Sequence, residues 1–186
     1  VTKEFIQGHI KRIEESDIVI MQLEIPVETV EYVKDLAVGM GKTVIIDPAP
    51  AVADLPDSFW QGVDYIKPNE TELEILSGKP MKTLEELKEG AREFLKKGVK
   101  HVIASLGEDG CLFVSEKEEK FFPANKVKAV DTTAAGDSFT AAFALALSEG
   151  KSCDEAIRFG QKVSAIVVTR KGAQTSIPTR EEVENK

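Results

Sequence analysis

The 186-residue sequence predicts a single α/β domain, residues 1–186, built on a mostly parallel sheet. Three observations carry this. Short β-branched runs ending in turn residues recur along the chain. Between them, apolar residues recur at helical spacing. Later, two strand-like runs flank a charged turn and add a hairpin. Strands that alternate with helices imply a parallel sheet covered on both faces.

The strand candidates are Asp17 to Leu23 (DIVIMQL), Thr43 to Asp47 (TVIID), Val63 to Lys67 (VDYIK) and His101 to Leu106 (HVIASL). Val30, Val33, Ala37 and Met40 mark one intervening helix, closed by Gly41. Thr83 to Gly98 is another, opened by Thr83 and Glu86 in capping-box spacing. Cys111 to Ser115 and Lys120 to Ala124 form the hairpin around Glu116 to Glu119. Two long helices follow, about Thr133 to Glu149 and Ser152 to Thr169, joined at Gly150 and Lys151. The charged tail Thr179 to Lys186 reads as a surface helix or a frayed end.

Charge and composition narrow the function. A net charge of −8 and a pI near 5.0 disfavour nucleic acid and anionic membranes as partners. A small phosphorylated ligand remains compatible, because backbone amides and a metal ion hold phosphate without net positive charge. No apolar run approaches the roughly 18 residues of a membrane span, and no secretory pattern opens the chain. Cys111 and Cys153 form no CxxC pair, and His9 and His101 lie far apart, so neither a zinc site nor a disulfide framework is expected. Buried thiols and a reducing, cytoplasmic setting fit this usage.

Asp131 to Phe139 (DTTAAGDSF) carries the chemistry. Ala134, Ala135 and Gly136 have minimal side chains and precede an apolar helix, so a ligand can approach the amides of its first turn. A transferring phosphoryl group suits that position, and Asp137 stands where a carboxylate accepts the proton of an attacking hydroxyl. Taken alone, Asp137 reads equally well as an acidic first-turn residue favoured by the helix dipole. Asn69 and Glu72 are by themselves a capping box. Ser105 to Gly110 alone is a glycine-containing turn, Gln161 a solvated helix residue, Arg170 to Gly172 a basic helix end, and Glu24 a solvated strand-end carboxylate.

Taken in order, these stretches resemble the ribokinase family, sugar kinases of the phosphofructokinase-B type. The resemblance rests on DTTAAGDSF, Leu23–Glu24, Asp47 to Ala51 (DPAPA), Lys67 to Glu72 (KPNETE), Ser105 to Gly110 (SLGEDG) and Val168 to Gln174 (VTRKGAQ), and runs from about Ser16 to Pro178. It implies a ribokinase-like three-layer α/β/α fold with a Rossmann-like sheet. It implies ATP-dependent phosphorylation of a sugar hydroxyl, ribose before other sugars, with Mg²⁺ and K⁺ as cofactors. By the resemblance Asp137 is the general base, and Ala134, Ala135 and Gly136 form the anion hole. Asn69, the loop Ser105, Leu106, Gly107, Glu108, Asp109 and Gly110, and Gln161 contact nucleotide. Glu72 organises magnesium through water, and Glu24 reaches toward the sugar. Asp131, Thr133, Val167, Arg170, Gly172 and Ser176 match a potassium site.

No GGxGxN-like string occurs in the chain, and the resemblance places Val1 in the middle of a complete kinase. The N-terminal sugar-binding and lid region of the family is therefore expected to be absent. Such a fragment is expected to bind nucleotide weakly, to turn over sugar barely, and to self-associate, as a homodimer or otherwise, through uncovered sheet surface. Fructokinase-like or adenosine-kinase-like specificity stays open, as does a catalytically silent nucleotide-binding module.

Overall fold

The computed structural model describes residues 1–185. The chain packs as two compact units, Val1–Leu106 with Cys111–Phe121, and Gly107–Gly110 with the residues from Phe122 onward.

The first unit begins with two short helices, α1 (Lys3–Gln7) and α2 (Ile10–Glu14), then alternates β1 (Ile18–Gln22), α3 (Val27–Gly39), β2 (Thr43–Asp47), α4 (Asp57–Trp60) and β3 (Tyr65–Ile66). Next come α5 (Glu70–Ser77), α6 (Leu84–Lys96), β4 (His101–Ser105) and the hairpin β5 (Gly110–Ser115) and β6 (Glu119–Pro123). The sheet order is β1-β2-β3-β4-β5-β6. Strands β1 to β4 pair in parallel, and β5 returns antiparallel to β4. The consequence for function is geometric: the C-terminal ends of β1 to β4 lie along one edge, where α/β sheets receive their ligands.

Strand periodicity explains the core. Val44, Ile46, Ile66, Val102, Ala104, Leu112 and Val114 fall at alternate positions and pack with Val30, Val33 and Ala37 of α3. Leu73 and Leu76 of α5 and Leu87, Ala91 and Phe94 of α6 complete the cluster. Trp60 meets Phe59 and Phe94 edge-on, with ring centroids 5.0 Å apart in each pair. Strand β1 pairs with β2 alone at one end of the sheet, and Ile20 on it is 43% exposed.

The second unit is built on α7 (Ala135–Ser148), α8 (Cys153–Val167) and α9 (Arg180–Glu184). Ala142, Val163, Ile166, Val167 and Val183 form its core, with Phe159 against them. Helices α7 and α8 approach closely at Gly160, where a Cβ would lie 3.0 Å from the Phe139 ring.

Three differences from the sequence reading stand out. Strand β3 shrinks to two residues, because Asp64 turns its carboxylate back to accept the Val44 amide at 2.8 Å. Helix α7 starts at Ala135 instead of Thr133, because Ala134 is left-handed, with φ 62°. Cys153, first residue of α8, is half-buried, whereas Cys111 is buried. The tail forms a capped helix that buries Val183; Lys186 lies outside the described residues.

Candidate active site

The first unit gathers one set of the expected residues along the ligand edge of its sheet. Glu24 follows β1 and is exposed; the neighbouring Leu23 amide donates to the Ala49 carbonyl at 2.9 Å, which ties the LE and DPAPA stretches together. Asn69 caps α5. Its Oδ1 accepts the Glu72 amide and Glu72 Oε2 accepts the Asn69 amide, both at 2.8 Å, completing the capping box. Ser105 reaches the same corner: its amide donates to the Pro68 carbonyl at 2.9 Å, and Asn69 and Ser105 form a parallel bridge. Leu106, next along, is buried.

Two charged residues at this corner have no separate role in the sequence reading. Asp47 ends β2 and Lys67 follows β3; they form an ion pair at 3.1 Å with side chains 5% and 7% exposed. The signal was present, since each closes a β-branched run with a charge, but the pairing becomes visible only when β2 and β3 lie in register. Burial pushes the Glu72 carboxyl above its ordinary range; the Asn69 amide pulls the other way, and the charges of Asp47 and Lys67 act on it in opposite senses.

The second unit holds the rest. Asp137 is the third residue of α7 and exposed, with Ala135 and Gly136 before it. Ala134 occupies the N-cap position, makes no side-chain cap bond, and is left-handed. For a residue with a Cβ that conformation costs about 1 kcal/mol. The Ala135 amide donates to the Thr132 carbonyl at 3.2 Å, so the expected anion hole loses one of its donors to the turn that builds it.

Asp131 organises this turn. Its Oδ1 accepts the Thr133 amide at 3.0 Å and the Thr133 hydroxyl at 2.7 Å, and its Oδ2 accepts the Gly172 amide at 2.9 Å. Those donors, the Thr133 hydroxyl foremost, hold its carboxyl down at about 2. The Val130 and Asp131 amides both donate to the Val168 carbonyl. Asp131, Thr133 and Gly172 are thus brought into direct contact. Arg170 instead pairs with Glu182 at 2.7 Å and approaches the Ser176 carbonyl at 3.5 Å, while buried Ser176 donates its hydroxyl to Ala173 at 2.6 Å. The Val167 carbonyl accepts the Arg170 amide at 3.0 Å.

The loop Gly107, Glu108, Asp109 is a single 3₁₀ turn, and it closes on Gly110 at φ 125°. There the backbone packs so tightly that a Cβ would fall 2.0 Å from the Phe122 carbonyl. Gln161 donates its side-chain amide to that carbonyl at 2.9 Å. It lines a cavity of about 400 Å³ with Pro123, Asn125, Val127, Arg158 and Lys162. Except for Gln161, these lining residues had no signal in the sequence, because they come from an irregular segment and one stripe of α8. Among the described residues, no group of three or more His, Cys, Asp or Glu side chains converges as a metal cage. No helix among them is long and apolar enough to cross a membrane.

Residues 3–180 match the pfkB family of carbohydrate kinases, and the chain belongs to that family. Among individual proteins, it is similar to the ribokinase of Haemophilus influenzae, 46% identical over 172 residues, which are 92% of this chain and 56% of that protein. Its fold is that of the ribokinase from Thermotoga maritima (TM-score 0.87, 49% identity, 95% of this chain and 58% of that one). It equally follows the Arabidopsis thaliana ribokinase complexed with ribose and ATP (TM-score 0.90, 34% identity, 96% and 58%). The ribokinase-like fold class is therefore as the sequence predicts. The chain spans little more than half the length of the relatives it matches.

Proposed function

We propose that this chain is the nucleotide-binding and catalytic part of a kinase that transfers the γ-phosphoryl group of ATP to a sugar hydroxyl, ribose first among sugars. The observation that carries the reading is Asp137 in the first turn of α7, behind residues too small to screen the helix amides. In the reaction, the sugar oxygen bonds to phosphorus as the bond to the ADP oxygen breaks, and the hydroxyl proton passes to the Asp137 carboxylate. Uncapped amides at the start of α7 face the negative charge spread over the transferring group. The cavity beside Gln161 is assigned to the nucleotide base, and Asn69 and the residues Ser105 to Gly110 are assigned to the nucleotide. Glu24 is assigned to the sugar.

Two ions fit the donors present. Glu72, a partly desolvated carboxylate, suits Mg²⁺ held through water with the nucleotide phosphates. The Asp131 carboxylate, the Thr133 hydroxyl, the Ser176 hydroxyl and the carbonyls around Val167, Arg170 and Gly172 are hard oxygen donors suited to K⁺. Those donors would hold the ion, and its positive charge would stiffen the turn that Asp131 organises.

Asp137→Asn in the full-length protein is the test. It is expected to lower kcat by about 10²–10⁴-fold, the range of a lost general base, with nucleotide affinity unchanged by calorimetry; an unaltered kcat would remove Asp137 from the chemistry. A second reading is a nucleotide-binding module without turnover. Ribose-dependent ADP formation by the purified chain decides against it. The exposed edge of β1 supports self-association as a homodimer, and the two free cysteines support a cytoplasmic location. Sedimentation that stays monomeric at high concentration would sink the dimer.

A further inference from the structure

The buried Asp47–Lys67 pair asks for an explanation. Its side chains are among the most enclosed charged groups of the first unit, although such a pair contributes little net stability over apolar residues of similar size. Its position is informative. Ile46 and Ile66 are register partners in β2 and β3, so the two charges stand side by side where adjacent parallel strands end. The Lys67 amide also donates to the Ile46 carbonyl at 3.0 Å, which fixes the root of the side chain. Two residues on, Asn69 opens α5 and holds the Glu72 carboxylate against its own amide.

This corner therefore contains one ammonium and two carboxylates. Lys67 is paired with Asp47, and Glu72 is occupied on one oxygen by a neutral amide. We propose that Asp47 is a positioning residue that sequesters Lys67, keeping its ammonium from pairing with Glu72 and so leaving that carboxylate available to a hydrated divalent cation. The inference rests on the reading of Glu72 as the magnesium-organising residue. Without Asp47, a buried ammonium must find another anion, and Glu72, held against the Asn69 amide two residues beyond Lys67, is a carboxylate of the same corner. A Glu72–Lys67 pair would compete directly with the cation.

The test is the Mg²⁺ concentration at half-maximal enhancement of ADP binding to this chain, measured by titration calorimetry, with melting temperatures in parallel. Asp47→Asn is expected to raise that midpoint at least about tenfold, equivalent to one decade of affinity, while metal-free ADP binds no more weakly. Adding Lys67→Met is expected to return the midpoint to within about threefold of wild type, since no ammonium is left to compete. Absence of a rise in Asp47→Asn, or a rise that persists in the double variant, overturns the inference. Should Asp47→Asn fail to fold, the neutral double variant decides alone: a midpoint within threefold of wild type supports the inference and a larger rise overturns it. A wild-type chain whose ADP binding ignores Mg²⁺ strikes the underlying reading of Glu72 instead, and that result appears before any variant is made.

Discussion

Helices α5 and α7 begin in opposite ways. Helix α5 is sealed by its own side chains: Asn69 and Glu72 exchange hydrogen bonds with each other's amides, and the helix ends on left-handed Gly78. Helices α6, α8 and α9 open with the same device, from Thr83, Ser152 and Thr179. Helix α7 has an alanine at that position, in a conformation that alanine adopts at a cost, and no side-chain cap at all. The difference separates structural from chemical helix starts. A capping box spends the first-turn donors inside the protein, whereas α7 has no such side-chain cap, which is the arrangement the proposed phosphate site calls for. Glu72 belongs to both categories, because one of its oxygens closes a cap while the carboxylate remains at the ligand edge.

The contrast can be broken most severely at Ala134. Ala134→Asp places a carboxylate at the open helix start, and the affinity for ATP is expected to fall at least about tenfold through like-charge competition, with the melting temperature little changed. Retained affinity would mean that phosphate does not sit at this helix. At the sealed helix the effect should be on stability. Asn69→Ala removes a cap worth about 1 kcal/mol, so thermal unfolding without nucleotide should begin about 2–4 °C lower.

A subtler contrast lies in acid. The Asp131 carboxyl is held near 2 in the folded protein, below the unfolded value near 4, so its contribution is present above pH ~4 and lost as pH falls toward ~2. Asp131→Asn should flatten the stability curve in that window and abolish any preference for potassium over sodium in nucleotide binding. Glu72 is shifted the other way by burial, so its ionisation opposes folding as pH rises through the carboxylate range. Acid titrations of Asp131→Asn and Glu72→Gln should therefore bend in opposite directions.

Local signals made most of the fold legible. The runs DIVIM and TVIID became β1 and β2, and Asn69 and Thr83, each followed three residues later by Glu, opened capping boxes, because both patterns act over a few residues. The short helices α1 and α2 escaped notice, since Gly8 and His9 interrupt their periodicity and neither buries a residue. At the site, Asp131, Thr133 and Asp137 were readable because one motif contains them, and the structure draws Gly172 to them across 41 residues. The partnership of Asp47 with Lys67 was not readable, as it depends on strand register. Nor was the left-handed Ala134, since alanine carries no preference for that conformation.

The Asp131–Gly172 hydrogen bond has one further consequence. It joins the chain just before α7 to the chain just after α8, clasping the helical hairpin at the end opposite its Gly150 turn. The Gly172 amide proton is then shielded only while the clasp is shut. Its exchange with deuterated solvent reports hairpin opening directly, and slower exchange on adding nucleotide or potassium would time the moment at which the site is made rigid.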